Sequence, residues 1–205
     1  MISKKLHLEL IKKWSKIGKV YQGRTKRVMD RLKWFDRHLS LLDGKYVLEV
    51  GCNAGLMAVD ICKHADIYVG LEKKKSYFSQ ALCTAWHIIN DINPGVVWFY
   101  NMKLSEYVEQ NCETRNSYDA MKKSESAIVL SRVLYYLKDK DIEVLKGILE
   151  NCKVALVFCG STNERKLNKY GFHKAKNTKR FFEDNGFKFE VDLVHSRYFG
   201  GVAVR

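Results

Sequence analysis

The sequence predicts an α/β fold: a doubly wound, mostly parallel seven-stranded sheet with a C-terminal antiparallel hairpin, preceded by basic N-terminal helices. Three observations carry this expectation. From Lys45 onward, short β-rich runs alternate with helical segments, the pattern of parallel strands joined by crossover helices. The first run passes directly into a glycine turn in "YVLEVGCNAG". The last two runs, "FKFEVDLV" and "YFGGVAVR", lie only a few residues apart, which suits antiparallel pairing.

Taken in order, Leu6, Leu10, Trp14, Ile17 and Tyr21 recur at helical spacing with Lys12, Lys13, Lys16 and Lys19 largely off the stripe. Val28, Leu32, Phe35, Leu39 and Leu42 continue the rhythm as a second helix until Asp43 and Gly44 stop it. Then follow "YVLEV", a helix near 55–64, "IYVGL", a helix near 74–90, the breakers Asn93, Pro94 and Gly95, and "VVWFY". Residues 102–111 read as helix or loop, and the polar "CETRNSYDAMKKSES" reads as a surface loop. The strand "AIVL", a helix near 138–151, "VALVF", a helix near 177–185 closed by Asn185 and Gly186, and the hairpin complete the chain. The domain organisation expected is a basic helical extension over 1–44 and one α/β domain over 45–205.

The 205 residues, 46% hydrophobic, suffice for one core. No apolar run reaches the roughly 18 residues needed to span a bilayer, and charge interrupts the leucines of "MISKKLHLELIKKW", so a soluble cytoplasmic protein that does not bind membrane is expected. The six cysteines lack metal-ligand spacing and read as free thiols, with no metal site. The net charge of +13 is uneven: +9 over residues 1–45, −1 over 46–160 and +5 over 161–205. Basic ends around a neutral middle suit an anionic polymer, and Trp14, Tyr21, Trp34 and Tyr170 stand among the cations as candidate base-stacking partners. The second basic cluster comprises Arg165, Lys166, Lys169, Lys174, Lys176, Lys179 and Arg180.

In open α/β sheets ligands sit at the carboxyl ends of the strands. A dinucleotide fingerprint needs glycine where Asn53 and Leu56 stand, and a phosphate-cradling GxxxxGK[ST] is missing at Leu56 and Met57. What remains is Glu49-x-Gly51-x-Asn53-x-Gly55, followed by Glu72 at the end of the next strand, at the spacing of an acidic residue that takes ribose hydroxyls. A nucleoside without a pyrophosphate is implied, with Glu49 available to a cationic part of the same ligand.

At these residues the chain resembles the class I S-adenosylmethionine (SAM) dependent methyltransferases. "VLEVGCNAG" is similar to their first motif, with Asn53 in place of the usual middle glycine; "VGLEKK" to their ribose-binding motif; "AIVLSRVLYYL" to their fourth strand and the turn facing the reacting methyl. The resemblance implies SAM as cofactor and methyl transfer by in-line attack. It implies a cofactor wall of Glu49, Gly51, Cys52, Asn53 and Gly55, with Glu72 and Lys73 at the ribose, Asn101 and Met102 at the adenine, and Ser131 at the methyl. Ser131, Arg132, Tyr135 and Tyr136 would wall the reacting centre, one tyrosine stacking on an acceptor base and Arg132 meeting phosphate. His173 and His195 are lesser candidates for a base.

RNA is the expected acceptor. "SRVLYY" lacks the Asp/Asn-Pro-Pro of DNA amino-methylating enzymes, and Ser131 stands where ribose 2′-O-methylation in the Lys-Asp-Lys-Glu manner would want Asp. "VGLEKKKSYFSQ" and "SRVLYYLKDKD" distantly resemble the tRNA wobble-uridine methyl and carboxymethyl transfer family, with Tyr136 in place of that family's His. The alternatives are a methyltransferase of small molecules or proteins, and a catalytically inactive SAM- or RNA-binding module of the same fold.

Overall fold

The strands Tyr46–Val50 (β1), Ile67–Leu71 (β2), Val96–Tyr100 (β3), Ser126–Ser131 (β4), Cys152–Gly160 (β5), Lys188–His195 (β6) and Tyr198–Val204 (β7) form one sheet in the order β3-β2-β1-β4-β5-β7-β6. The protein, seen here as a computed structural model, is described over residues 25–92, 95–110, 113–160, 170–195 and 198–205. The helix expected over Leu6 to Tyr21, its lysines, and Arg165, Lys166 and Lys169 lie outside the described residues.

Strands β1 and β4 are buried along their whole length, which is why they read as unbroken apolar runs: helices cover both faces of the sheet. All pairings from β3 to β5 are parallel, while β7 runs antiparallel to both β5 and β6. The chain moves outward from β1 through β2 to β3 and then returns to lay β4 against the other side of β1. The order reverses between β1 and β4, and the crevice lies at the strands' carboxyl ends on that side of the sheet.

Among the described residues, seven helices pack around this sheet: Thr25–Asp36 (α1), Ala58–Ile61 (α2), Lys75–Ile92 (α3), Leu104–Glu109 (α4), Glu113–Lys123 (α5), Asp139–Leu149 (α6) and Ala175–Asp184 (α7), with single 3-10 turns at Leu39–Leu42 and Leu134–Tyr136. One core joins Leu48, Ile128 and Val157 to Leu104, Met121, Leu145 and Phe182 from α4, α5, α6 and α7. The opposite core joins Val47, Val129 and Phe158 to Trp34 and Phe35 of α1, Val59 of α2 and Ile88 of α3.

Three expectations need correction. The polar stretch read as a loop holds α5, because a few residues suffice to dock it: Met121 and Ser117 are buried, and the Ser117 and Tyr107 hydroxyls share a 2.8 Å hydrogen bond. The helix expected to run unbroken from Val28 to Leu42 ends at Asp36 and resumes as a 3-10 turn. Trp34, counted among base-stacking aromatics, is only 1% exposed; it packs edge-on against Phe35 and donates its indole N–H to Asp192 Oδ1 of β6 at 2.7 Å. Tyr170 likewise stacks on Phe172, whose ring lies in the core.

Candidate active site

The crevice holds a cavity of about 570 Å³, of the size that encloses a small organic ligand. Its floor is the turn after β1. Gly51 (φ 73°), Asn53 (φ 56°) and Gly55 (φ 72°) all take the left-handed conformation, so the departure from glycine falls on a residue type that tolerates that region. A β-carbon on Gly51 would lie 2.8 Å from Val133 Cγ2, so the absence of a side chain lets the loops after β1 and β4 touch. The turn is pinned to β2 by Gly51 N–H and Cys52 N–H, both donating to Leu71 O. Asn53 Oδ1 accepts from Ala54 N–H at 2.8 Å, closing the bend from within.

Glu72, first after β2, is 7% exposed and rigidly aimed. Its Oε2 accepts from Asn53 N–H at 3.1 Å and its Oε1 from Lys74 N–H at 2.8 Å. Each oxygen keeps a lone pair for a further donor, the arrangement that two neighbouring ribose hydroxyls require. Asn101, expected at the adenine, instead holds this carboxylate's backbone: its Nδ2 donates to Glu72 O at 2.7 Å, and neither Asn101 nor Gly55 is among the residues that line the cavity. Gly55 faces Phe99 and Thr84. Met102 does line the cavity, together with Tyr77 of α3, a residue not expected at the site.

Glu49 is 2% exposed at the inner wall. Tyr68 donates its hydroxyl to Glu49 Oε2 at 2.6 Å. Burial lifts the carboxyl to about 7; the Tyr68 hydrogen bond and the Arg31 guanidinium pull it back, and Glu72 pushes it further up. Burial also raises the Cys52 thiol well above its ordinary range, so this cavity-lining sulfur stays protonated.

The opposite wall comes from the end of β4. Ser131, 7% exposed, accepts from Arg31 Nη1 at 3.2 Å. Arg132 takes φ 58°, unusual for a non-glycine residue, and its N–H donates to Phe158 O at 2.6 Å. Tyr135 is buried and Tyr136 is 45% exposed, their ring centroids 4.4 Å apart, so the pair divides between core and mouth. Ser131, Arg132, Tyr135 and Tyr136 thus all line the same cavity as Glu49, Gly51, Cys52, Asn53, Glu72, Lys73 and Met102. His173 and His195 do not line it; His195 stacks on Tyr198 in the hairpin.

Lys73 and Arg132 line the cavity as expected; Lys74, Lys103 and Lys138 join them from the same neutral middle of the chain, and Arg31 from α1. Lys174, Lys176, Lys179 and Arg180 of the second basic cluster do not, and Lys179 and Arg180 are paired with Glu183 and Asp184.

No protein-family model and no curated protein matches the sequence. Solved structures do share its fold. The chain is similar to magnesium protoporphyrin IX methyltransferase (ChlM) from Synechocystis PCC 6803 with bound SAH, at 13% identity over 95% of this chain and 93% of that one, TM-score 0.60. It is similar to the methyltransferase domain of bacterial CtHen1-CN, at 13% identity over 85% and 97%, TM-score 0.60. Small RNA methyltransferase HEN1 matches at 9% identity over 87% of this chain and 25% of that one, TM-score 0.62. The seven-stranded sheet with its antiparallel C-terminal hairpin is the fold of these methyltransferases.

Proposed function

We propose that the protein is a SAM-dependent methyltransferase acting on RNA. The observation that carries the cofactor assignment is Glu72: a buried carboxylate held by two backbone donors at the carboxyl end of β2, on the wall that Asn53 and Gly51 complete. Residues 45–205 would form the cofactor-binding domain. Within 1–44, α1 closes the second core, and the cations before residue 25 would extend the acceptor surface.

SAM supplies an electrophilic methyl on a sulfonium, so the protein's task is alignment in a place that excludes water. Glu72 would orient the ribose and Met102 would flank the adenine. The rigid turn from Gly51 to Asn53 would set the depth of the ligand. Ser131 and Tyr135, both buried, would form a fixed wall beside the reacting carbon.

RNA is favoured over a small acceptor by the mouth of the cavity. Lys73, Arg132 and Lys138 line the cavity together with Lys103, which is paired with Glu106, and Tyr136 of the same lining is exposed, a combination of cations with an aromatic face that suits a nucleotide. The likeness to HEN1 agrees with this reading, and the likeness to ChlM keeps a small-molecule acceptor in view. Incubation with methyl-labelled SAM and separate pools of total RNA, DNA, protein and small metabolites tests it. Label in RNA is expected. Label confined to small molecules or protein replaces RNA as the acceptor, and tight SAM binding with no label in any pool marks a binding module.

A further inference from the structure

Helix α3 is apolar on two opposite faces. Ala81, Thr84 and Ile88 are fully buried toward the sheet, Ile88 within the second core. On the outer face Leu82, Trp86 and Ile89 are 48%, 64% and 57% exposed. The other exposed large apolar side chains among the described residues, Val96, Tyr136, Val194 and Val204, are spread singly over four elements. Ser79, Leu82, Trp86 and Ile89 follow one another at steps of three, four and three, the spacing of a seam between two paired helices.

Charge is missing from the same helix. In a chain of which 29% of the residues are charged, residues 76–90 contain no Asp, Glu, Lys or Arg. The other long helices after β3 carry ion pairs instead: Lys122 with Asp119 on α5, Lys146 with Glu143 on α6 and Lys179 with Glu183 on α7. A helix that is apolar all round is one that is covered on both sides, and a clustered apolar patch marks a contact surface.

The chemistry of the stripe selects its occupant. Nucleic acid needs cations and an anionic bilayer needs them beside the apolar residues, yet Lys75 at the first residue of the helix is the one charge on this face among the described residues. The net charge of +13 makes two copies of the chain repel at range, so they meet most readily where the surface is neutral. A second copy supplies the same uncharged stripe, and a two-fold axis makes its spacing self-complementary. With the helices antiparallel, Trp86 lies against its own counterpart and Leu82 of each copy against Ile89 of the other. The three side chains expose on the order of 350 Å² per copy. With the exposed Ser79 and Cys83 at the flanks, a helix pair covers about 1,000 Å² in total, the lower bound for a specific interface, which implies reversible pairing at micromolar concentration.

We propose that two copies of the chain associate through the outer face of α3, antiparallel about a two-fold axis at Trp86. Leu82, Trp86 and Ile89 do not line the cavity, so the pairing leaves each copy its own site and does not depend on the cofactor reading.

Sedimentation equilibrium of the full chain from about 1 to 300 µM, at low and high salt, tests it. Wild type is expected to pass from 23.9 kDa to twice that mass as concentration rises. Added salt should not weaken the pairing, because it screens repulsion between the copies and finds no ion pair in the seam. Trp86→Asp should raise the dissociation constant at least about 30-fold, with a thermal melt and an affinity for S-adenosylhomocysteine like those of wild type. Leu82→Lys and Ile89→Glu should each weaken the dimer, and the two together should pair more tightly than either alone, since the antiparallel register brings the new charges together across the axis. A wild-type mass that stays at 23.9 kDa overturns the proposal, whether the stripe is then covered by residues 1–24 of the same chain or by a phosphatidylcholine vesicle. A dimer that Trp86→Asp leaves equally tight overturns it as well, and a double variant no tighter than the single ones overturns the antiparallel register.

Discussion

Glu49→Gln should make the empty protein more stable, and increasingly so as pH rises. The unfolded carboxyl ionises near its ordinary 4.5, whereas burial raises the folded one to about 7. Between these values the folded state keeps a proton that the unfolded state has lost. The group's contribution to stability is therefore greatest below about pH 4.5 and is lost as pH rises through about 7. The whole shift corresponds to about 3 kcal/mol. Of this, about 2.5 kcal/mol develops between about pH 5 and about pH 8. Glutamine is neutral throughout and keeps an oxygen for the Tyr68 hydroxyl, so the variant should gain on wild type by that amount across the interval. Urea denaturation of both proteins at both pH values measures it, and titrations elsewhere in the molecule cancel in the difference. A difference that does not change with pH would show that Glu49 is not held protonated by burial. An ionisable group retained at such a cost is what a site for a cationic ligand group requires.

Gly51→Ala should cost at least about 2 kcal/mol, from its positive φ and the approach of Val133, and should weaken SAM binding in the fraction that folds; thermal melts with and without SAM read both. Trp34→Ala should cost about 3–5 kcal/mol in denaturant titrations, since it opens the second core and removes the indole hydrogen bond to Asp192. Lys73→Glu with Lys138→Glu should weaken RNA binding and reduce the magnitude of its log-log salt slope by about 0.7 for each phosphate no longer neutralised. An unchanged slope in filter binding would make these lysines a solvated face.

The parts of the site legible in the sequence are those whose chemistry is local. Glu49, Gly51, Asn53 and Glu72 fall within one strand-turn-helix-strand unit, where spacing along the chain maps directly onto position at the strand ends. Asn53 is readable as a left-handed residue, and its φ of 56° agrees. Arg31 is hidden because a lone arginine in a basic helix has no spacing that distinguishes it; only the packing of Trp34 and Phe35 turns it inward. Trp34 misleads for the same reason, since its partner Asp192 lies 158 positions away. Summing charge along the chain obscures the cationic lining: residues 46–160 total −1, yet their loops bring Lys73, Lys103, Arg132 and Lys138 to one cavity. Helix α5 escapes the sequence pattern because two buried side chains, Ser117 and Met121, dock it without an apolar stripe.

The central claim is that a nucleoside's ribose is bound by Glu72 in a site built for SAM. Calorimetric titration of SAM into wild type and Glu72→Ala tests it most directly. Wild type should bind at one site, and the variant should lose about 10- to 100-fold in affinity with the removal of a charged acceptor from two hydroxyls. No binding by wild type, or equal affinity in the two proteins, would contradict the assignment.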